Sequence, residues 1–141
     1  IGRSAPVRIE AGVFDATAAV KLSPDHRLLI TGYEVQLLFG CDSAYVPAKS
    51  LVGCPGVTKV ADPRVRYIHL LLPVHAAVTA NGLQCESLLI GDVARGALGP
   101  RFEKEYKRLQ PKLECQRAAY PCLTMTEGRL FSSVISPRLA A

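Results

Sequence analysis

Apolar and polar residues alternate along much of the first ninety or so residues, and a period of two predicts β-strands. Strands are predicted at residues 7–11, 28–31, 33–39, 65–72 and 76–80, with a further segment starting at Tyr45. Residues 65–72 carry the strongest of these signals. The Asn81-Gly82 pair is the sharpest hairpin signal in the chain, because both residue types accept a positive φ. Residues 47–52 are predicted to form one helical turn.

Helical spacing replaces this alternation after Gly91-Asp92. One helix is predicted to begin near Pro100 and to end at Pro111. A second begins at a capping box over residues 124–127. The predicted core-facing stripes are Phe102, Tyr106 and Leu109 in the first helix, and Leu130, Phe131 and Val134 in the second. We therefore expect a mainly β domain over residues 1–93 and a short helical C-terminal extension over residues 94–141.

Length and composition fit one domain, or one domain with a tail. The chain has 141 residues, of which 49% are hydrophobic, which is enough for a core. No apolar run approaches the roughly 18 residues that span a bilayer, so no membrane association is expected. The net charge of +5 is mild, and the few aromatic residues do not interleave with basic ones, so nucleic-acid binding is not expected either. Ile1 is not an initiator Met, and we expect a fragment or a processed product.

The five cysteines predict neither a disulfide framework nor a zinc site. Their number is odd, their spacing is irregular and no CxxC occurs. Most are expected to be buried reduced thiols. Cys41 looks the most exposed of them, but it has no basic neighbour to activate it. We expect no metal and no cofactor.

Histidines beside strand-like runs are the candidate chemical groups, because imidazole moves protons near neutral pH. His26 is a candidate acid–base residue, or a buried His in an ordinary turn. His75 is a further candidate, or it fixes the end of a strand. His69 fits a half-buried core residue better. Cys85 is either a resolving thiol or a small buried side chain, and a metal site of His69, His75 and Cys85 would fit no standard spacing.

Several phrases resemble the Hedgehog/intein (Hint) domain, in a bacterial subtype found at the end of large, often exported proteins. The matching residues are 6–12 (PVRIEAG), 23–29 (SPDHRLL), 46–52 (VPAKSLV), 67–72 (YIHLLL) and 82–87 (GLQCES), with His75 between the last two. Residues 126–130 (TEGRL) resemble the helical extension of that subtype. The order and spacing agree over about two thirds of the chain.

The resemblance implies a compact, curved, all-β scaffold and self-processing. In that chemistry an N-terminal Cys or Ser attacks the preceding carbonyl and converts an amide into a (thio)ester. The family pattern Thr/Ser-x-x-His falls on Ser23 and His26. Ser23 would orient the scissile peptide, and His26 would protonate the departing amide nitrogen. The His of the second family segment falls on His75, which completes the expected catalytic set.

Two departures from the family pattern shape the expected function. The nucleophile would lie on a covalently linked segment upstream of this sequence. By typical strand and loop lengths, that upstream portion of the domain would have about 40 residues. Glu86 lies in the stretch where inteins need an Asn that cyclises, so cleavage or transfer is expected, not splicing. We therefore expect an autoproteolytic domain that acts at its own N-terminal junction and is inactive in this form.

Two other functions fit the same residues. A degenerate Hint scaffold would act as a non-enzymatic binding or interaction module, with no cleavage under any condition. A hydrolase acting on other molecules would need a Cys within about 3–4 Å of His26 or His75. The sequence indicates neither the oligomeric state nor the location, although an exported bacterial protein fits the resemblance.

Overall fold

The computed structural model describes residues 5–62, 64–90, 99–109 and 117–140. These residues form seven strands in two antiparallel sheets, three α-helices and a 3-10 turn at Ala48–Leu51. The strands are β1 (Val7–Ile9), β2 (Val20–Leu22), β3 (Arg27–Thr31), β4 (Ser43–Pro47), β5 (Val57–Lys59), β6 (Ala77–Ala80) and β7 (Leu83–Glu86). The helices are α1 (Tyr33–Phe39), α2 (Gly99–Leu109) and α3 (Met125–Leu139). The fold is β-rich, as predicted, but these helices show that it is not all-β.

Strand β3 lies inside the larger sheet and fixes the residue that follows His26. The sheet orders are β2-β1-β5 and β4-β3-β7-β6. All five residues of β3 pair with β4, and Leu28 of β3 pairs with Cys85 of β7. Strands β6 and β7 form the predicted hairpin, in which Asn81 and Gly82 adopt φ of 49° and 82°. The hairpin therefore brings residues 85 and 86 beside the start of β3.

The strand predicted at residues 33–39 is wrong, because these residues form α1. Val35 is buried and Leu38 and Phe39 pack against the core, which is a spacing of one helical face. Leu37, which a strand would place beside Val35, is 64% exposed. Short apolar runs fit the period of a strand as well as that of a helix, and the bounding Gly32 and Gly40 leave room for only two helical turns.

The strand predicted at residues 65–72 is also wrong, because these residues join neither sheet. Ile68 and Leu70 are 75% and 54% exposed. The N–H of Leu88 donates to the carbonyl of Leu70 (2.7 Å), which ties the segment to the chain after the β6–β7 hairpin. Strand propensity is local, whereas a strand also needs a partner edge at the right place.

The C-terminal helix packs directly on the β-rich part of the chain. The capping box is confirmed, with Thr124 and Glu127 bonding reciprocally. The buried face consists of Gly128, Phe131 and Ile135, so the predicted stripe is right for Phe131 and wrong for Leu130 and Val134, which are exposed. The stripe predicted for α2 is partly buried, and Tyr106 is its most buried residue. The predicted end of this helix at Pro111 lies outside the described residues.

One hydrophobic cluster contains residues of both halves of the chain. Leu123, Phe131 and Ile135 belong to the same buried cluster as the strands. Residues 121–123 also run along edge strand β4: Tyr45 N–H donates to Pro121 (2.7 Å) and Leu123 N–H donates to Tyr45 (2.8 Å). Among the described residues, no helix is both long enough and apolar enough to cross a membrane.

Candidate functional site

The loop between β2 and β3 holds His26 in a fixed backbone position. The N–H of His26 donates to the carbonyl of Ser23 (3.1 Å), which closes the turn. The 3-10 turn then holds the loop from the other side, because Ala48 N–H donates to His26 (2.9 Å) and Lys49 N–H donates to Pro24 (2.9 Å). Lys49 also forms an ion pair with Asp25. The His26 backbone is therefore anchored at both ends of its turn.

A cleft of about 320 Å³ opens beside this loop. Its lining comes from the end of β2, the following loop, residues 66–70 and the β6–β7 hairpin. Its lining residues are Val20, Lys21, Leu22, Ser23, His26, Arg66, Tyr67, Ile68, His69, Leu70, Val78, Ala80, Cys85 and Glu86. The lining is mainly apolar, with a few polar groups, as in sites that bind organic groups.

Burial, a second imidazole and a carboxylate all affect the protonation of His26. It is half-buried, and its ring stacks on that of His69, with centroids 5.2 Å apart and planes 29° apart. Burial lowers the pKa of His26, Glu86 opposes this through its charge and a backbone hydrogen bond, and His69 and Arg27 lower it further. The net effect is a lowered pKa, so His26 is mostly neutral at neutral pH and can accept a proton before it gives one.

His75 is fully buried and is not among the described residues that line the cleft. Its Nδ1 accepts the backbone N–H of Ala119 (3.0 Å), so the ring proton lies on Nε2. That Nε2 is 3.6 Å from Oε2 of Glu86, which is longer than a hydrogen bond. His75 therefore lies behind Glu86, while Ser23 and His26 face the cleft.

Glu86 connects these groups and was not predicted as a site residue. Its Oε1 accepts the backbone N–H of Arg27 (2.9 Å), and its Oε2 accepts Nη1 of the same residue (3.1 Å). Glu86 is only 9% exposed, although the buried Leu83 and Cys85 occupy the other face of β7. No local sequence pattern indicates Glu86, because it meets Arg27 only through the pairing of β3 with β7.

The cysteines near the site are poor nucleophiles. Burial and the charge of Glu86 raise the pKa of Cys85 to about 11, so its thiol stays protonated at neutral pH. Cys122 is exposed and Cys41 is only partly so, which corrects the expectation that Cys41 is the most exposed. Within the part of the chain that the structure describes, Cys41, Cys54, Cys85 and Cys122 are free thiols.

No group of three or more metal-binding side chains occurs among the described residues, so His69, His75 and Cys85 do not come together as a metal site there.

A protein-family model described as a Hint domain matches residues 2–92. No match was found among the curated proteins or among the solved structures.

Proposed function

The chain belongs to the Hint domain family, and from that membership we propose that it is a self-processing domain that cleaves the peptide bond at its own N-terminal junction. The nucleophile, a Cys or Ser, lies on a covalently linked segment upstream of this sequence. Without that segment the 141 residues are inactive. The observation that carries this function is the anchored His26 on the wall of an open cleft.

His26 moves one proton in two steps. Its lowered pKa leaves it neutral at neutral pH, so it first accepts the proton of the attacking thiol. As the thiol sulfur bonds to the carbonyl carbon and the carbon–nitrogen bond breaks, His26 gives that proton to the departing amide nitrogen. The amide becomes a thioester, and an added thiol then releases the upstream protein.

Ser23 and His75 complete the proposed set. Ser23 is half-buried and lines the same cleft as His26, where its hydroxyl orients the scissile peptide. His75 is buried, so it acts through its neighbours and not on the peptide itself. Cys85 is not assigned as the resolving nucleophile, because a thiol with a pKa of about 11 is rarely ionised at neutral pH.

Cleavage of a fusion protein tests this function. A reporter protein is joined through an upstream segment that carries the junction Cys to the full chain, and dithiothreitol-induced release is followed on a gel. We expect His26→Ala to slow release by about 10²-fold or more, the usual contribution of a general acid–base group. Junction Cys→Ala should abolish release, and Tyr33→Ala, at an exposed position on α1, should leave it unchanged. Equal release from His26→Ala and the parent would contradict the role of His26.

A second function is favoured by the rim of the cleft. Ile68 and Leu70 are largely exposed apolar residues beside it, which suits the binding of an extended apolar segment without cleavage. A folded fusion that releases no reporter at any thiol concentration or pH, yet binds such a peptide, would favour this binding module.

A further inference from the structure

The buried donors without a partner among the described residues belong to three side chains that interact with one carboxylate. Three buried side-chain atoms have no hydrogen-bond partner there: Nε of Arg27, Oη of Tyr45 and Nε2 of His75. Arg27 bonds to Glu86, His75 is 3.6 Å from it, and burial followed by the charge of Glu86 raises the pKa of Tyr45. Native proteins pair nearly all buried donors, so three unpaired donors on side chains that interact with the same residue call for an explanation.

The C-terminal segment fixes the direction of one of these donors. Because Ala119 N–H donates to Nδ1 of His75, the imidazole must carry its proton on Nε2, the atom nearest Glu86. The Tyr45 ring packs edge-on against His75 (5.3 Å between centroids), which restricts rotation of the imidazole. Hydrogen bonds in an active site are often long in the free protein and shorten when substrate binds. The 3.6 Å gap fits this behaviour.

Glu86 also lies close to His26. The pairing of Leu28 with Cys85 puts Glu86 next to Arg27, which directly follows His26. Glu86 and His26 both line the cleft. The groups that act on the His26 imidazole are Glu86, His69 and Arg27, and of these Glu86 alone is negative. Glu86 is therefore the group that favours the protonated form of His26.

We propose that Glu86 is a positioning residue: its carboxylate, bonded by Arg27 and 3.6 Å from Nε2 of His75, sets the protonation of His26. Ala119 extends this network to the C-terminal segment. The consequence for cleavage depends on the proposed function, but the effect of Glu86 on His26 does not. The proposed function and the role of Glu86 can therefore be refuted by different experiments.

A histidine titration of the 141-residue chain tests the network without any cleavage. Two-dimensional ¹⁵N–¹H spectra of the imidazoles are recorded across pH, with His26 assigned from His26→Gln. We expect Glu86→Gln to lower the His26 midpoint, because the negative charge that favours imidazolium is lost. Glu86→Asp, which keeps the charge, should stay closer to the parent. An unchanged midpoint in a folded Glu86→Gln protein would overturn the proposal.

A second variant decides the question if Glu86→Gln does not fold. Ala119→Pro removes the N–H that bonds to His75 but no side chain from the core. We expect the ring ¹⁵N shifts of His75 to show more than the Nε2–H tautomer, and the His26 midpoint to change, because the carboxylate of Glu86 loses the N–H that faces it. Ala118→Pro, which keeps that N–H, is the matched control. A change of tautomer with no movement of the His26 midpoint would overturn the link through Glu86.

In the reporter fusion, Glu86→Gln should slow release and move the pH dependence of the rate in the direction of the His26 midpoint. A loss of rate approaching 10²-fold is the size expected for a misplaced reacting group. If the parent fusion never releases the reporter, the proposed function fails, while the titration still decides the role of Glu86. If release is normal and the titration shows no coupling, the positioning role alone is wrong.

Discussion

Substitution of Gly128 by Ala should destabilise the protein, although Ala is normally the better helix residue. Gly128 lies on the buried face of α3, where the helix meets the 3-10 turn. A Cβ at this position would clash with Oγ of Ser50 and would be 2.7 Å from the Cβ of Ser50 and 2.9 Å from Cγ2 of Val46. The hydroxyl can rotate away, but the Cβ of Ser50 cannot, so the helix or the turn must move.

Three effects set the size of the change in unfolding free energy. Overpacking of a well-packed core costs about 1–3 kcal/mol. Rotation of the Ser50 hydroxyl breaks its buried hydrogen bond to Pro47 (2.7 Å), worth about 1 kcal/mol. Replacing a helical Gly by Ala returns about 1 kcal/mol. The net destabilisation is about 2 kcal/mol, or a Tm lower by roughly 6 °C for a chain of this size.

Urea and thermal unfolding, followed by circular dichroism, measure this change. Arg129→Ala, at the exposed neighbouring position, should stay within about 0.5 kcal/mol of the parent. Ser50→Gly removes two of the three clashing atoms, so it should cost less in the Gly128→Ala background than in the parent. A Gly128→Ala protein as stable as the parent, or an equal cost of Ser50→Gly in both backgrounds, would refute the close approach.

Three further predictions concern stability. Tyr45→Phe removes a buried hydroxyl without a described partner, so the free energy of unfolding should rise by about 1 kcal/mol. A loss of about 1 kcal/mol in urea unfolding would mean that the hydroxyl is hydrogen-bonded. Thr124→Ala breaks the capping box with Glu127 and should cost about 1 kcal/mol, whereas an unchanged Tm would contradict the cap. Because the pKa of His26 is lowered in the folded chain, stability should fall as pH decreases below about 6.5, the unfolded value. His26→Gln should make that fall shallower in urea unfolding, and an unaltered slope would count against the lowered pKa.

The sequence predicted those parts of the fold that depend on local chemistry. The Asn81-Gly82 hairpin needs only residues that accept positive φ, and the capping box needs only Thr124 and Glu127 at the right spacing. Residues 33–39 show where local reasoning ends, because their apolar positions fit a short helix as well as a strand. Residues 65–72 have a strand composition, but no sequence pattern reveals which sheet edge is available to them.

The candidate site was predictable in part for a similar reason. Ser23 and His26 are three residues apart in one turn, so their proximity follows from the sequence. Arg27 and Glu86 are brought together by the pairing of β3 with β7, which depends on long-range register. The bond from Ala119 to His75 joins still more distant parts of the chain, and neither composition nor periodicity indicates it.

The hydrogen bonds between Tyr45 and residues 121–123 have a practical consequence for anyone who wants to produce this protein. A recombinant fragment that stops at residue 92, where the family match ends, would leave the N–H and C=O of Tyr45 open on an edge strand. Such an edge can recruit another copy and start aggregation. Insolubility of that shortened fragment would therefore reflect a missing cover on β4, and fragments intended for labelling or crystallisation should extend through α3.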